Sequence, residues 1–242
     1  MKSMAFAGRT AKEILRDPMT LCFGLGFPVG VLLLLSAIGQ HVPSGQFAVS
    51  ALAPGMAVFG LSFVALFAAM LLAKDRSTSF LTRLYTTPMT ASAFLAGYAA
   101  PLLPIAMAQT AIVYLMACVL GMPMSANVAF AWLCSLPTAL FFMAVGLLCG
   151  ALFTEKQASG LCGALLTNAT AWLSGAWFPT SLAGGVFEAI ANVLPFAHAV
   201  ELGRAALSGS TAALWPHLLW VVGYAAVFAA LAVWAFARRM RI

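Results

Sequence analysis

The chain has 242 residues, 63% of them hydrophobic and only 7% charged, with a formal net charge of +6. Soluble domains carry roughly 25% charged residues, so this composition excludes a water-soluble surface. The basic balance reads as membrane orientation and contact with anionic lipid headgroups, not as nucleic-acid binding.

A charge near the bilayer centre costs about 2.5–3.5 kcal/mol on insertion scales, so a spanning chain keeps its charges in loops. Lys and Arg cluster here at Lys2–Arg16, Lys74–Arg83, Lys156 and Arg238–Arg241, between long uncharged apolar runs. At about 20 residues per span, the length suits one bundle of six helices. The expected fold is an all-α integral membrane protein forming a single domain over residues 1–242.

Residues 2–17 predict an amphipathic helix, with Met4, Ala7, Ala11, Ile14 and Leu15 on one face and Lys2, Arg9, Lys12, Glu13 and Arg16 opposite. Such a helix lies in the membrane interface. Asp17-Pro18 breaks it, closing an interface segment over 1–18. The first span is expected at Met19–Gly39, too long for the 7–15-residue core of a signal peptide, and is read as retained. The second runs about Ser50–Ala73. The polar stretch 74–97 follows, the longest hydrophilic interval in the chain. The third span is expected at Tyr98–Leu120, the fourth at Ala126–Phe153 and the fifth at Ala158–Phe178.

Residues 179–212 are too polar for a plain span and too apolar for a free loop. They predict two short helices, Ser181–Val193 and Phe196–Leu207, dipping into the outer leaflet, where irregular backbone needs protein cover or water. The last span is expected at Leu214–Ala237, stopped by Arg238-Arg239. Six crossings put eleven of the twelve Lys and Arg on one side, leaving only Arg204 on the other. The positive-inside rule then makes both termini cytoplasmic.

No catalytic constellation is present. His41, His198 and His217 have no metal-ligand spacing, no Ser sits in GxSxG, and no lysine can belong to a phosphate-binding GxxxxGK[ST] loop. The five cysteines lie in apolar runs and none is in a CxxC pair, which suits helix packing. The chain is therefore expected to hold no metal and no cofactor of its own.

The 74–97 connector carries the strongest functional signal. Phe80, Leu81, Leu84 and Tyr85 share one face of a short helix that Thr86-Thr87-Pro88 ends. Apolar residues on a cytoplasmic connector need either a partner or the chain's own N-terminal helix. Asn168 is the lone Asn or Gln of the fifth span, fit for a bond to a neighbouring helix or for a substrate. Gln109 and Tyr114 in the third span read the same way. His198, Glu201 and Arg204, at i, i+3 and i+6, form a polar stripe that acts as a local ion pair or as an external gate.

Four segments together resemble the membrane subunit of type-2 ABC exporters. They are Leu15-Arg16-Asp17-Pro18-Met19-Thr20, the run Lys74–Met89, Thr154-Glu155-Lys156-Gln157-Ala158-Ser159 with a span ending Gly175-Ala176-Trp177-Phe178-Pro179, and Asn192–Arg204. Asp75-Arg76-Ser77-Thr78 stands where the family commonly has Glu-x-Gly-Thr, keeping the acid but not the glycine. The resemblance implies that Phe80, Leu81, Leu84, Tyr85, Thr87 and Pro88 dock on a separate cytoplasmic ABC ATPase subunit, which holds ATP and Mg. It implies a second copy or a paralogous permease, with the second and fifth spans lining a path through Phe59, Ser62, Thr167, Asn168 and Trp172. It also implies a bacterial inner membrane, an outer re-entrant helix pair, and export of an amphipathic drug-like or antibiotic-like molecule, with a lipid or polysaccharide as the alternative cargo. An intramembrane enzyme would need paired ionisable groups inside the bilayer. A secondary transporter would need embedded Asp, Glu or His, and the spans offer neither.

Overall fold

The computed structural model describes residues 2–16, 22–42, 45–78, 90–178, 180–182 and 184–240, and every regular element among them is helical. The chain is an all-α membrane protein. Helix α1 (Lys2–Leu15) is the amphipathic segment. Span 1, α2 (Cys22–Gly39), opens with a π-helical stretch at Cys22–Gly26 and continues as α-helix from Phe27. Span 2 is α3 (Val49–Ser77), span 3 is α4 (Ala91–Val119) and span 4 is α5 (Ala126–Leu152). Thr90 caps α4 by accepting from the Ala93 N–H at 3.3 Å. Pro54, Pro101, Pro104 and Pro137 all sit inside these helices, where neighbouring helices make up for the lost backbone bonds.

Span 5 departs from its expected form. Instead of a regular helix over Ala158–Phe178, α6 (155–173) runs as α-helix at Glu155–Ser159, π-helix at Gly160–Leu166 and α-helix at Thr167–Leu173. The sequence explains both ends. Thr154 and Gln157 form a reciprocal capping box that starts the helix early. Gly175, at φ +69, ends it early. Wide π turns leave carbonyls poorly satisfied, and polar side chains answer them. Thr167 donates to the Cys162 carbonyl at 3.0 Å, Asn168 to Ala164 at 2.7 Å and Thr170 to Leu166 at 2.8 Å. Span 5 is not among the five helices that are long and apolar enough to cross a membrane by length and composition alone.

Helices α7 (Gly185–Val193) and α8 (Pro195–Ser208) meet at a 76° bend. Leu194 is extended and Pro195 opens α8, so no backbone bond can carry the helix through the junction. The bent pair falls where two short helices were expected from sequence. Span 6 is α9 (Thr211–Met240).

Two core clusters divide the bundle. One gathers Phe94, Tyr98, Phe141, Phe142 and Phe236, and the other Leu32, Leu52, Met56, Val113, Tyr114 and Leu202. Span 2 runs through both. It packs on span 4 so closely that a Cβ added at Gly146 would collide with the Ala65 carbonyl.

Candidate functional site

At the basic end of the bundle, α1 is tied to the ends of spans 2 and 3. Arg9 donates two hydrogen bonds to Asp75, at 2.9 and 3.2 Å. Tyr98 donates a third to the same carboxylate at 2.8 Å. Asp75 is only 3% exposed, and a buried carboxylate needs this many donors. The bonds to Asp75 hold the Arg9 guanidinium above its ordinary pKa. Arg9 thus turns toward the protein, although its place on the helical wheel had put it toward headgroups. Lys74 pairs with Glu13 at 3.1 Å. Arg76 donates to the Gly150 and Phe153 carbonyls at the end of span 4, and Arg239 to Leu152 at 2.9 Å. Five elements therefore share one polar seam immediately before the 79–89 segment. Phe80, Leu81, Leu84, Tyr85, Thr87 and Pro88 lie outside the described residues.

The opposite end is fastened differently. Arg204 pairs with Glu201 at 2.7 Å and reaches the Gly175 carbonyl at 2.9 Å and the Ala51 carbonyl at 3.3 Å. One guanidinium thereby joins α8, span 2 and the end of span 5. His198 does not share these contacts. Its Nδ1 lies 2.8 Å from Nδ1 of His217 on span 6, and its Nε2 lies 2.9 Å from the Asn192 carbonyl. A carbonyl only accepts, so Nε2 carries the proton and Nδ1 of His198 accepts from His217. The i, i+3, i+6 stripe is thus split: positions six apart on an α-helix point to different sides, and here they address different neighbours. Trp220 and Tyr224 of span 6 both donate to the Val193 carbonyl at the bend, at 3.2 and 2.9 Å.

Between these ends, span 5 presents an open face. A groove of about 990 Å³ runs along α6 past Gln157, Gly160, Ala164, Asn168 and Trp172. Asn168 is exposed in this face, and its bond goes to its own helix. Trp172 is exposed beside it, whereas Thr167 is buried. Phe59 and Ser62 lie inside the protomer, with the Ser62 hydroxyl donating to the Phe59 carbonyl at 2.6 Å. The five path residues expected from sequence thus occupy two layers. Asn168 and Trp172 are on the surface, and Phe59, Ser62 and Thr167 sit behind it. Gln109 is buried against Gly60 and Pro28, with neither side-chain atom hydrogen-bonded. Among the described residues, no group of three or more His, Cys, Asp or Glu gathers in a metal-binding arrangement.

Sequence reading missed the Arg9–Asp75–Tyr98 cluster. The available signal was an acidic residue closing an alanine-rich span, a position where burial demands a cation. Which cation supplies it depends on how α1 lies across spans 2 and 3.

The profile of a family described as ABC-2 type transporter matches residues 3–208. The chain belongs to that family, whose membrane domain is the permease component of an ABC transporter and works with an ABC ATPase. None of the curated proteins compared with the chain matches it.

Proposed function

We propose that this ABC-2 family chain is the permease subunit of an ATP-driven exporter, moving an amphipathic drug-like or antibiotic-like molecule out across a bacterial inner membrane. The observation that carries this reading is the open face of span 5, an apolar groove in which the amide of Asn168 is exposed among apolar neighbours, with Gln157 also in the lining. A polar side chain facing lipid is unfavourable and asks for a partner across an interface or a cargo. Two copies of the chain, or one copy and a paralogue, would place such faces around a shared path. Both termini and the 79–89 segment would then lie in the cytoplasm, where Phe80, Leu81, Leu84, Tyr85, Thr87 and Pro88 would dock the ATPase subunit that holds ATP and Mg. Motion of that segment would reach the bundle through Asp75, Arg76 and Lys74, which tie the end of span 2 to α1 and span 4.

The test is co-purification followed by transport. The tagged chain should bring down an ABC ATPase, and vesicles holding both should extrude an amphipathic dye only with ATP. Asn168→Leu should lower extrusion while leaving the ATPase bound. Dye movement without nucleotide, or driven by an ion gradient, would overturn the reading. Extrusion of a lipid or a polysaccharide in place of the dye would overturn the assignment of cargo.

A further inference from the structure

The bend between α7 and α8 is fastened to span 6 through two histidines. His198 Nδ1 lies 2.8 Å from His217 Nδ1, with the ring centroids 5.1 Å apart. Both residues are half-buried. His198 is in the first turn of α8 and His217 in the second turn of span 6, close to the ends of their helices. The other nitrogen of His198 meets the Asn192 carbonyl at 2.9 Å, and Trp220 of span 6 packs on the same ring with centroids 5.0 Å apart. These contacts hold the His198 ring in one orientation.

That orientation decides which protons the pair can take. His198 Nε2 gives its proton to Asn192, so His198 Nδ1 must be bare to accept from His217. A first added proton can settle on His217 Nε2. It makes the donor cationic and the bond stronger. A second can settle only on His198 Nδ1. Two N–H groups then face each other, each on a cation, and the bond is lost. The bonded form therefore holds one proton fewer than the broken form, so it is favoured as pH rises and lost as pH falls.

The surrounding charges leave this logic intact. Glu201, one turn along α8 from His198, acts electrostatically on His217 and is itself paired with Arg204 at 2.7 Å. Helix α7 contributes Glu188, and span 6 contributes Tyr224, whose hydroxyl donates to the Val193 carbonyl at 2.9 Å. His41, in the loop after span 1, is engaged with the Ala37 carbonyl at 3.1 Å. Among the described residues, spans 2, 3, 4 and 5 bring no Asp, Glu, Lys, Arg or His to this end of the bundle.

We infer that the His198–His217 pair is a proton-operated latch, which releases the α7–α8 bend from span 6 when both rings are protonated. The repulsion of two cations then acts on the remaining ties, the Trp220 and Tyr224 bonds to the Val193 carbonyl. Arg204 still holds the later part of α8 to spans 2 and 5, so the loosening is local to the bend. Placing the latch on the outer side, where it would sense the pH outside the cell, rests on the topology proposed above. The proton dependence does not.

The test is amide hydrogen exchange, read by mass spectrometry on the purified full chain from about pH 8 to about pH 4 and corrected for intrinsic rates. In the wild type, segment 186–197 should exchange about two- to tenfold faster at the acid end, while segment 200–207 changes less. The amide of His217→Gln can donate to a bare Nδ1 or accept from a protonated one, so protection should persist across the range. His217→Phe cannot bond and should exchange at the faster rate throughout. Glu201→Gln should keep the acid transition. Melting temperatures near wild type at neutral pH establish that the variants fold. Wild-type exchange that ignores pH overturns the inference, whether or not the variants fold. So does an acid transition that survives in His217→Gln. A transition that vanishes in Glu201→Gln also overturns it and makes the carboxylate the switch. Neither ATP nor transport enters the measurement, so failure here leaves the extrusion experiment standing, and failed extrusion leaves the exchange readable.

Discussion

Span 2 and span 6 are almost equally apolar, yet the molecule uses them in opposite ways. Their most apolar stretches have mean hydropathies of 2.4 and 2.1, but 78% of the residues in the first are buried and only 17% in the second. Placement explains the difference, since span 2 packs against spans 1, 3, 4 and 5 and α8, whereas span 6 packs against spans 3 and 4 and α8. Span 2 meets its neighbours through Gly55, Gly60 and a series of fully buried alanines at 53, 65, 68 and 69. Span 6 turns Trp215, Leu219, Val227, Leu231 and Trp234 outward. Lipid tails are as apolar as leucine, so apolarity places a helix in the bilayer without saying what it touches. Small residues decide where backbones approach. Span 2 is thus the axis of the bundle, and spans 1 and 5 leave Phe27 and Trp172 on their outer faces exposed.

The sharpest way to break this contrast is a matched pair of glycine substitutions. Gly146→Val drives a side chain into the Ala65 backbone of span 2, where no rotamer change relieves the clash. A loss of about 3 kcal/mol or more is expected, at the upper end for overpacking. Gly223→Val on span 6 meets nothing within 4 Å and should stay within about 0.5 kcal/mol of wild type. Thermal unfolding in detergent measures both, and equal shifts would end the distinction between axis and periphery.

Next in size is Asp75→Ala at the basic end of span 2. It removes the acceptor of three hydrogen bonds given by Arg9 and Tyr98, while the Arg9–Glu13 pair stays in place. Arg9 is partly solvated, so a buried-pair cost is discounted to about 2 kcal/mol. The more specific readout is α1, which should become sensitive to protease while the spans stay protected. An α1 as protected as in the wild type would show that Asp75 does not hold it.

At the other end, Arg204→Met should cost about 1–2 kcal/mol, because the Ala51 and Gly175 carbonyls lose a charged donor. Cysteines introduced at the ends of spans 2 and 5 should then cross-link less well. Undiminished cross-linking would mean that packing alone joins these ends.

Among the hydrogen-bond deletions, the smallest effect is expected on span 6. His217→Phe keeps a ring beside His198 but removes one hydrogen bond, worth about 0.5–1.5 kcal/mol. Trp220 and Tyr224 still bind the Val193 carbonyl. A shift in melting temperature larger than that of Asp75→Ala would reverse the ranking of the two spans.

Much of this architecture is legible in the chain itself. The uncharged runs mark the spans, because a charge cannot be left in hydrocarbon. Leu194-Pro195 marks the re-entrant bend, because proline cannot continue a helix. Thr154 and Gln157 mark the start of α6 through their capping box. The π-helical stretches were not legible. Whether Gly160–Leu166 widens its turns depends on side chains four and five residues away donating to its carbonyls, and several conformations of the same residues permit that. The candidate site was half legible. Asn168 stood out as an amide in an apolar span, but its exposure depends on which face of α6 meets span 2.

The sequence by itself determined that this chain lives in a membrane, roughly where its apolar spans lie, and which end of the bundle gathers the basic residues, since each follows from the local cost of charge. Only the tertiary structure decided that Asp75 would be shared by Arg9 and Tyr98, that His198 would part from Arg204, and where the helix of span 5 would end. Those outcomes depend on how helices rotate against one another. In a bilayer that rotation is set by the fit of small side chains, summed over many weak contacts, and not by any single residue's preference for oil over water.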